Sequence, residues 1–380
     1  MTFRKDSAHS GHGNDYISRV RSIVILNFNS LTLLKKMKKL TQPALLLGIS
    51  LIISHATSNA QIKPEDVSVR KIWSNEYHNA FTSLIWFKGS FYCSFRQGSD
   101  HAGGVDGVVR IIKSKDGINW TSVAVLEKKG YDLRDPKLSV TPDGRILVNM
   151  GGSVYKDRKL MSRLSHVSFS NSSGKKFSDP QPIGISANAK TNFDWLWRVS
   201  WYNKIGYGVA YSTAEEKEDQ EWSVCLLKTT DGINYDLVTR LSLDGRPNET
   251  TVRIMPDGEM LMMVRRESGT GFWGRSKPPY KEWSWTDTGI RFGGPDFTAL
   301  NDELFIAGTR IYEKPAITGL FLVNREGQFR NLLRLPSGGD NSYPGFVVGR
   351  KKIFVSYYSS HEGNSSIYLA EIPLSLIEGL

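Results

Sequence analysis

The residue types that could do chemistry in this 380-residue chain are concentrated at the ends of short, apolar, strand-like segments. The candidate residues are His78, Arg96, Asp100, Arg134, Asp135, Trp197, Arg198, Glu249, Arg265, Arg266, Arg310, Tyr343 and His361. Guanidinium groups bind carboxylates through two parallel hydrogen bonds, and aromatic faces stack on sugar rings. Arginines, carboxylates and aromatic residues together are therefore typical of a site for a small, anionic, polyhydroxylated ligand. The same strand ends carry His101, Asp340, Tyr357 and Tyr358, to which the sequence assigns no role.

Three other kinds of site are not favoured. Residues 269–274 (GTGFWG) spell G-x-G-x-x-G, but the two prolines that follow prevent the helix that a phosphate site needs. The histidines after residue 60 form no H-x-x-x-H pair, so we predict neither a metal ion nor another cofactor. There is also no G-x-S-x-G motif.

Short alternating strands separated by turn dipeptides fill the chain from residue 65 onward. One set of turns precedes strongly apolar strands and recurs about every 45–60 residues, and a second set falls between its members. The first set is Lys88-Gly89, Asp143-Gly144, Asn203-Lys204, Asp257-Gly258, Asn301-Asp302 and Arg350-Lys351. The second set is Asp116-Gly117, Ser173-Gly174, Asp231-Gly232, Pro278-Pro279, Glu326-Gly327 and Glu362-Gly363.

This alternation predicts six units of four strands each. Such meanders cannot bury both faces alone, so we expect them to stack radially as an all-β, six-bladed β-propeller of antiparallel blades over residues 61–380. A β-sandwich is the less favoured alternative, because sandwiches do not usually repeat at this interval. In a propeller, the candidate residues listed above face the central channel.

Residues 1–60 have a different character. They hold eight of the 49 Lys and Arg residues but only two carboxylates, Asp6 and Asp15, and so carry more than half of the net charge of +11. No basic run remains in residues 61–380, so we predict no nucleic-acid partner. Hydrophobic residues make up 39% and charged residues 23% of the chain, which excludes wholesale disorder.

The same segment has the form of an export signal. Met37-Lys38-Lys39 is a positive start, residues 44–53 (ALLLGISLII) are a short apolar run, and Ser58-Asn59-Ala60 offers small residues before Gln61. We interpret residues 37–60 as a signal peptide and residues 1–36 as an over-extended start, with an uncleaved membrane anchor as the alternative. We therefore expect an exported protein, periplasmic or secreted, with no other membrane association. Cys93 and Cys225 lie in apolar strands and are predicted to be buried thiols.

Two turns of the second set share a local sequence. Residues 114–120 (SKDGINW) and 229–235 (TTDGINY) follow the same pattern, and residues 170–177 (SNSSGKKF) are a longer form with Ser172 where Asp is expected. The Asp side chain can accept hydrogen bonds from backbone N–H groups of its own turn, and Gly can adopt a positive φ. We predict a structural role for these turns.

The turns resemble the Asp-box repeats of the sialidase superfamily of glycoside hydrolases. The resemblance covers nearly the whole chain after residue 60 and is closest to a bacterial subgroup labelled exo-α-sialidase-like. The stretches that carry it are residues 78–84 (HNAFTSL), 133–138 (LRDPKL), 195–201 (WLWRVSW), 248–252 (NETTV), 276–285 (SKPPYKEWSW), 293–297 (GGPDF), 337–345 (SGGDNSYPG) and 356–372 (SYYSSHEGNSSIYLAEI).

The resemblance implies a tyrosine nucleophile activated by a glutamate, an aspartate acid/base and three arginines that clamp a sugar carboxylate. Tyr343 matches the nucleophile, Glu249 its partner and Asp100 the acid/base. The remaining matches are Arg265 or Arg266 and Arg310 for two of the arginines, and Asp135 for a substrate-contacting aspartate. Side chains alternate along a strand, so only one of Arg265 and Arg266 is expected to reach the channel.

The sequence departs from the family in the first blade, where His78-Asn79-Ala80 replaces an R-I-P motif. Arg96 or Arg134 would have to supply the first clamping arginine. With this departure, the resemblance implies an exo-acting glycosidase that removes a terminal acidic sugar, sialic acid or a related one. We expect the protein to be a monomer.

Two other interpretations stay open. Residues 134–137 (RDPK) also resemble an element of five-bladed furanosidases, which would make the protein a two-carboxylate glycosidase using Asp135 and Glu249. Alternatively, the missing arginine is consistent with a propeller that binds carbohydrate without turnover. A protein-interaction propeller is less favoured, because the polar and aromatic residues converge on strand ends.

Overall fold

The computed structural model describes residues 62–103, 106–190, 194–213 and 222–378. The first half of this part contains the short 3₁₀ turn Pro64–Asp66 and the strands β1 (Ser68–Trp73), β2 (His78–Phe87), β3 (Ser90–Gly98), β4 (Val108–Ser114), β5 (Thr121–Leu126), β6 (Asp132–Val140), β7 (Ile146–Lys156), β8 (Lys159–Phe169), β9 (Gln181–Pro182), β10 (Gly184–Ile185), β11 (Asp194–Tyr202) and β12 (Ile205–Ser212).

The second half contains β13 (Ser223–Thr229), β14 (Asn234–Leu241), β15 (Pro247–Ile254), β16 (Met260–Arg266), β17 (Phe272–Ser276), β18 (Ser284–Asp287), β19 (Asp296–Ala299), β20 (Leu304–Ile311), β21 (Ile317–Asn324), β22 (Phe329–Leu335), β23 (Asn341–Val348), β24 (Lys352–Ser359), β25 (Ser366–Pro373) and the helical turn α1 (Ser375–Glu378). Within the described ranges, no helix has the length and apolar composition of a membrane span. The proposed signal peptide lies outside these ranges.

The described strands form six sheets. Five of them are β2–β5, β6–β9, β11–β14 with β10 added in parallel at its outer edge, β15–β18 and β19–β22. The sixth has the order β1-β25-β24-β23. The inner strands contact one another in a closed ring, β2 to β6 to β11 to β15 to β19 to β23 and back to β2. The protein is therefore a six-bladed propeller, which confirms the fold that the turn spacing predicts.

The last blade is closed by the beginning of the described chain. β1 pairs antiparallel with β25, from Ser68 opposite Glu371 onward, and Arg70 lies 2.7 Å from Glu371. The turn Glu362-Gly363 consequently joins the second and third strands of this blade, whereas the corresponding turns elsewhere join the third and fourth. The turn spacing therefore predicts the number of blades but not the closure.

Buried aromatic and aliphatic side chains fill the spaces between blades. Trp273 of one blade, for example, packs on Phe297 and Phe305 of the next, with ring centroids 4.7 and 5.9 Å away. Cys93 and Cys225 are buried free thiols, as predicted. In the turn at Asp116, the carboxylate accepts hydrogen bonds of 2.8 Å from the backbone N–H groups of Ile118 and Asn119, the arrangement that the sequence predicts.

The inner strands share a feature that positions the channel side chains. In β2, β6, β11, β15 and β23 the pairing with the neighbouring strand shifts register at the channel end. A β-bulge of this kind bends the strand and redirects a side chain. The bulges hold Phe81, Asp135 and Tyr343 at φ values of 66°, 48° and 55°. They hold Trp197, Arg198 and Glu249 as well, so the six residues meet at one end of the channel.

Candidate active site

A hydrogen bond between Tyr343 and Glu249 lies at the centre of the site. The Tyr343 hydroxyl donates to Glu249 Oε1 at 2.8 Å, and both side chains are buried. The backbone N–H of Gly294 donates to Glu249 Oε2 at 2.8 Å, the same oxygen that Arg265 contacts at 2.8 Å. Both oxygens of this buried carboxylate are therefore held, one by the phenol and one by a cation and an amide.

These contacts set the ionisation of the pair. Burial opposes the charged form of Glu249, but Arg265 and the hydrogen bonds to Arg265, Tyr343 and Gly294 outweigh it and lower its pKa below the ordinary value. Burial, reinforced by the Glu249 charge, raises the pKa of Tyr343. The resting pair is therefore a neutral phenol that donates to a carboxylate able to accept its proton.

Tyr343 is fixed by backbone and ring contacts. Thr82 Oγ1 donates to its carbonyl oxygen at 2.7 Å. The rings of Phe81, Trp197 and Tyr358 surround it, with centroids 4.9, 5.9 and 5.9 Å away. Its left-handed φ is rare for a non-glycine residue and is typical of strained positions at functional sites.

Two arginines contact this ring system. Arg265 Nη1 lies 3.4 Å from the Tyr343 hydroxyl, and the Arg310 guanidinium lies 5.8 Å from the centroid of the Tyr343 ring. Arg266, adjacent to Arg265, instead binds Asp244 at 2.7 Å and stacks on Phe272. The alternation along β16 thus brings Arg265 to the channel and turns Arg266 away from it.

Arg310 belongs to a second ion-paired cluster. It donates to Asp340 Oδ1 and to the Tyr358 hydroxyl at 2.9 Å each, and Tyr358 itself donates to Asp340 Oδ1 at 2.9 Å. On the other carboxylate oxygen, Asp340 Oδ2, the His78 Nε2 and His101 Nδ1 atoms converge at 2.9 and 2.6 Å. Burial opposes ionisation of Asp340, but the hydrogen bonds to both histidines and the Arg310 charge lower its pKa, so the carboxylate accepts from both imidazoles.

Asp135, in β6 of the second blade, lies near two cations. Arg134 Nε is 3.9 Å from Asp135 Oδ2, and the Arg134 guanidinium lies 5.2 Å from the Phe81 ring centroid. Burial raises the pKa of Asp135, with the charges of Arg134 and Lys137 opposing the shift. Its Oδ1 atom is buried without a hydrogen-bond partner among the described residues. A buried carboxylate oxygen without a partner is costly, and a strained or catalytic position is one explanation for it.

Lys137 is a channel residue that the sequence interpretation missed. Its buried ammonium lies 4.4 Å from the Trp197 ring centroid and 5.5 Å from that of Tyr343, and it has no hydrogen-bond partner among the described residues. Burial, reinforced by Arg198, lowers its pKa to about 8. A lysine two positions after Asp135 in an apolar inner strand is a signal that could have found it.

Other candidates lie further from Tyr343. Asp100 is 56% exposed and faces Arg158, at 3.5 Å. Arg96 is fully buried, pairs with Asp132 at 2.7 Å and donates to the Asp100 carbonyl at 2.6 Å. Arg96 and Arg134 are the two arginines considered for the missing clamp position. Arg134 contacts the Phe81 ring beside Tyr343, whereas Arg96 holds the loop that follows β3.

Three further candidates have partners in the structure, and two of these are held by residues of other blades. Arg198 pairs with Asp296 of β19 at 3.2 Å, and the Trp197 ring contacts Lys137 and Tyr343. His361 contacts Ser359 at 2.9 Å and packs on Tyr368, both residues of the last blade.

The described residues include one group with donors close enough to consider for a metal ion: His78, His101 and Asp340, whose ligand atoms lie within 4.8 Å of one another. Their contacts of 2.9 and 2.6 Å are hydrogen-bond distances. A tetrahedral zinc ion with bonds near 2.0 Å would hold its ligand atoms about 3.3 Å apart. The geometry is that of a hydrogen-bonded cluster.

Solved structures share this fold. The chain is similar to a protein of unknown function from Dyadobacter fermentans, with a TM-score of 0.69 and 22% identity over 80% of this chain and 99% of that one. Trypanosoma rangeli sialidase matches with a TM-score of 0.61 and 10% identity over 82% of this chain. A Fusarium graminearum α-L-arabinofuranosidase matches with a TM-score of 0.62 and 15% identity over 81% of this chain and 98% of that one.

The chain spans 60% of the length of the sialidase chain. No family model matches the sequence, and no curated protein matches it. At these identities the likeness establishes a sialidase-like propeller fold. The chemistry has to be argued from the residues of this chain.

Gly294 provides a test of how tightly Tyr343 is held. Gly294 and Gly289 have similar φ values of 63° and 68°, but a Cβ on Gly294 would lie 2.4 Å from Tyr343 Cγ, whereas one on Gly289 would meet nothing within 4 Å. Both Gly294→Ala and Gly289→Ala suffer backbone strain, and only the first adds overpacking. We expect Gly294→Ala to lose about 1–3 kcal/mol more free energy of unfolding, measured in urea. Equal losses would contradict the packing of Tyr343 against this backbone.

Lys137 gives a pH-dependent test. Its pKa falls from an ordinary 10.5 to about 8 on folding, so between these values the unfolded chain binds more protons and stability rises with pH. The gain in stability of Lys137→Met over wild type should therefore be largest below pH 8 and shrink by up to about 3 kcal/mol as the pH approaches 10. Urea unfolding at several pH values measures it. Lys115→Met, at an exposed site, is the control, and a pH-independent difference for Lys137→Met would contradict the buried charge.

Proposed function

We propose that this protein is an exo-acting glycoside hydrolase of the sialidase type, with Tyr343 as its nucleophile and Glu249 as the base that activates it. The observation that carries the proposal is the 2.8 Å hydrogen bond from the Tyr343 hydroxyl to a buried carboxylate whose other oxygen is held by Arg265 and Gly294. A phenol with an adjacent base can attack a sugar whose own carboxylate would repel a carboxylate nucleophile.

The residues support a two-step displacement. Tyr343 attacks the anomeric carbon while its proton passes to Glu249, and the glycosidic C–O bond breaks as the leaving oxygen takes a proton from an acid group. Water then attacks the same carbon and gives a proton to the acid group, which the first step left deprotonated, while the bond to Tyr343 breaks and Glu249 returns its proton to the phenolate. Arg265 offsets the charge of Glu249 in the resting state and of the phenolate as it forms, because it contacts both.

The proposed substrate is a glycan that carries a terminal acidic sugar, sialic acid or a related one. Arg134, Arg265 and Arg310 surround the aromatic floor formed by Phe81 and Tyr343, and guanidinium groups bind carboxylates well. Arg265 and Arg310 pair with Glu249 and Asp340 at 2.8 and 2.9 Å, whereas Arg134 lies 3.9 Å from Asp135, so Arg134 would carry the larger share of substrate binding. Export of a monomeric enzyme and membership of the exo-α-sialidase-like subgroup remain parts of this proposal.

A second candidate is a two-carboxylate glycosidase in which Asp135 and Glu249 do the chemistry. It is favoured by the raised pKa of the buried Asp135, which suits a proton donor, and by the free Asp135 Oδ1 atom. In this mechanism Tyr343 only packs beside the sugar, so its hydroxyl is dispensable.

The test is incubation of residues 61–380 with a panel of glycans that end in acidic sugars or arabinofuranose, with the released monosaccharides identified by mass spectrometry. We expect release of an acidic sugar by the wild type, and a fall of about 10³-fold or more in kcat/KM for Tyr343→Phe, because the variant keeps the ring and loses the nucleophile. Tyr357→Phe, in a neighbouring stack of the same blade, is the matched control and should retain activity.

The outcomes separate the candidates. A mild effect of Tyr343→Phe together with a severe effect of Asp135→Asn would favour the two-carboxylate mechanism. Measurable binding of acidic sugars with no turnover across the panel would contradict both and identify a carbohydrate-binding propeller.

A further inference from the structure

His101 and Asp340 form a hydrogen-bonded pair at the mouth of the channel, and the proposed reaction still needs a group that gives a proton to the leaving oxygen. We propose that His101 is this general acid/base and that Asp340 positions it. The inference rests on the proposed function, because it assigns a role within the same reaction.

The pair has the arrangement of a histidine oriented by a carboxylate. His101 Nδ1 lies 2.6 Å from Asp340 Oδ2, and the Asp340 carboxylate is fixed by Arg310, Tyr358 and His78 at 2.9 Å each. A carboxylate that accepts the Nδ1 proton sets the tautomer and the ring orientation and leaves Nε2 as the atom that exchanges a proton with substrate. Asp340 is also tied by its backbone N–H, which donates to Ser360 Oγ at 2.9 Å.

His101 lies where a leaving group can reach it. Its side chain is 47% exposed, and its ring packs against Phe81 with a centroid distance of 5.0 Å. The same Phe81 ring lies 4.9 Å from that of Tyr343, so one aromatic side chain separates the proposed acid from the proposed nucleophile. His101 is thus held beside the site by both a hydrogen bond and a ring contact.

The preceding residue is less suitably placed for this role. The Asp100 side chain points to Arg158 at 3.5 Å, and its carbonyl oxygen is held by the buried Arg96. The loop that follows β3 therefore presents the imidazole of His101, and not the adjacent carboxylate, to the Phe81 side of the site.

The charged groups around His101 come from several elements. Asp340, from the segment before β23, contacts the His101 imidazole through Oδ2, and the His78 ring of β2 lies against the His101 ring. Arg310 of β20 contacts the other carboxylate oxygen of Asp340, Oδ1. Asp135 of β6 interacts with His101 electrostatically. The Arg134 guanidinium lies over the same Phe81 ring that His101 contacts.

The proton balance of the reaction closes. In the first step the proton on His101 Nε2 moves to the leaving glycosidic oxygen as the C–O bond breaks and the bond to Tyr343 forms. In the second step the neutral Nε2 accepts a proton from the attacking water as the bond to Tyr343 breaks. No oxidant, reductant or further reactant is required.

The experiment compares two leaving groups on whichever sugar the wild type hydrolyses: a poor one, the alkyl or sugar glycoside, and a good one, the nitrophenyl glycoside. We expect His101→Gln to lower kcat/KM for the poor leaving group by about 10²- to 10⁴-fold and for the nitrophenyl glycoside by less than about tenfold, since nitrophenolate departs without a proton. The alkaline limb of the pH–rate profile on the poor leaving group should disappear in this variant. His166→Gln, at a histidine of β8 whose Nδ1 contacts the Leu164 carbonyl oxygen at 2.9 Å, is the control and should leave both rates unchanged.

The readouts distinguish the possible failures. A wild type inactive on every substrate refutes the proposed function, whereas an active wild type whose His101→Gln variant falls equally on both leaving groups, or not at all, refutes this inference alone. Asp100→Asn showing the leaving-group dependence expected of His101→Gln would move the role back to Asp100. Loss of wild-type activity in a chelator, restored by added Zn²⁺, would overturn the pair in favour of a metal site. Far-UV circular dichroism confirms that the variants fold.

Discussion

The buried carboxylate of Glu249 is the constraint on which the centre of this propeller depends. An anion in this position is costly unless its oxygens are paired, and here Tyr343, Arg265 and Gly294 pair them. The three partners come from three segments that follow one another around the ring. The contacts that keep Glu249 ionised therefore also fix the positions of the Tyr343 phenol, the Arg265 guanidinium and the Gly294 backbone. The same hydrogen bonds hold the blades together and arrange the proposed reacting groups.

The bulges of the inner strands make this convergence possible. A regular strand would send alternate side chains into the two faces of each blade, where they would pack between blades and not towards the ligand. The register shifts in β2, β6, β15 and β23 redirect Phe81, Asp135, Glu249 and Tyr343 to the channel end. The bulges place Phe81, Asp135 and Tyr343 at left-handed φ values, and the backbone at these residues is strained as a result.

The sequence predicts a large part of this architecture. The alternating turn dipeptides predict six blades because ten of the twelve contain Gly, Asn or Asp, which favour tight turns. The resemblance to sialidases selects Tyr343 and Glu249, which lie 94 residues apart. The pairing of β1 with β25 could not be predicted, because it joins distant segments and leaves no local signal. The bulges were not visible either, since Phe81 and Tyr343 are not residues that favour a positive φ. The resemblance points to Asp100 by its position in the loop after β3, whereas the structure directs Asp100 to Arg158 and the His101 ring to Phe81.

In the proposed mechanism Tyr343 forms a covalent bond to the sugar, and this intermediate can be trapped. Residues 61–380 would be incubated with fluorinated sugars that carry a good leaving group, one acidic and one arabinofuranosyl, because fluorine beside the anomeric carbon slows the second step. The protein would then be digested and its peptides analysed by mass spectrometry. We expect a sugar adduct on Tyr343. An adduct on Asp135 or Glu249, with Tyr343 unmodified, would rule out Tyr343 as the nucleophile.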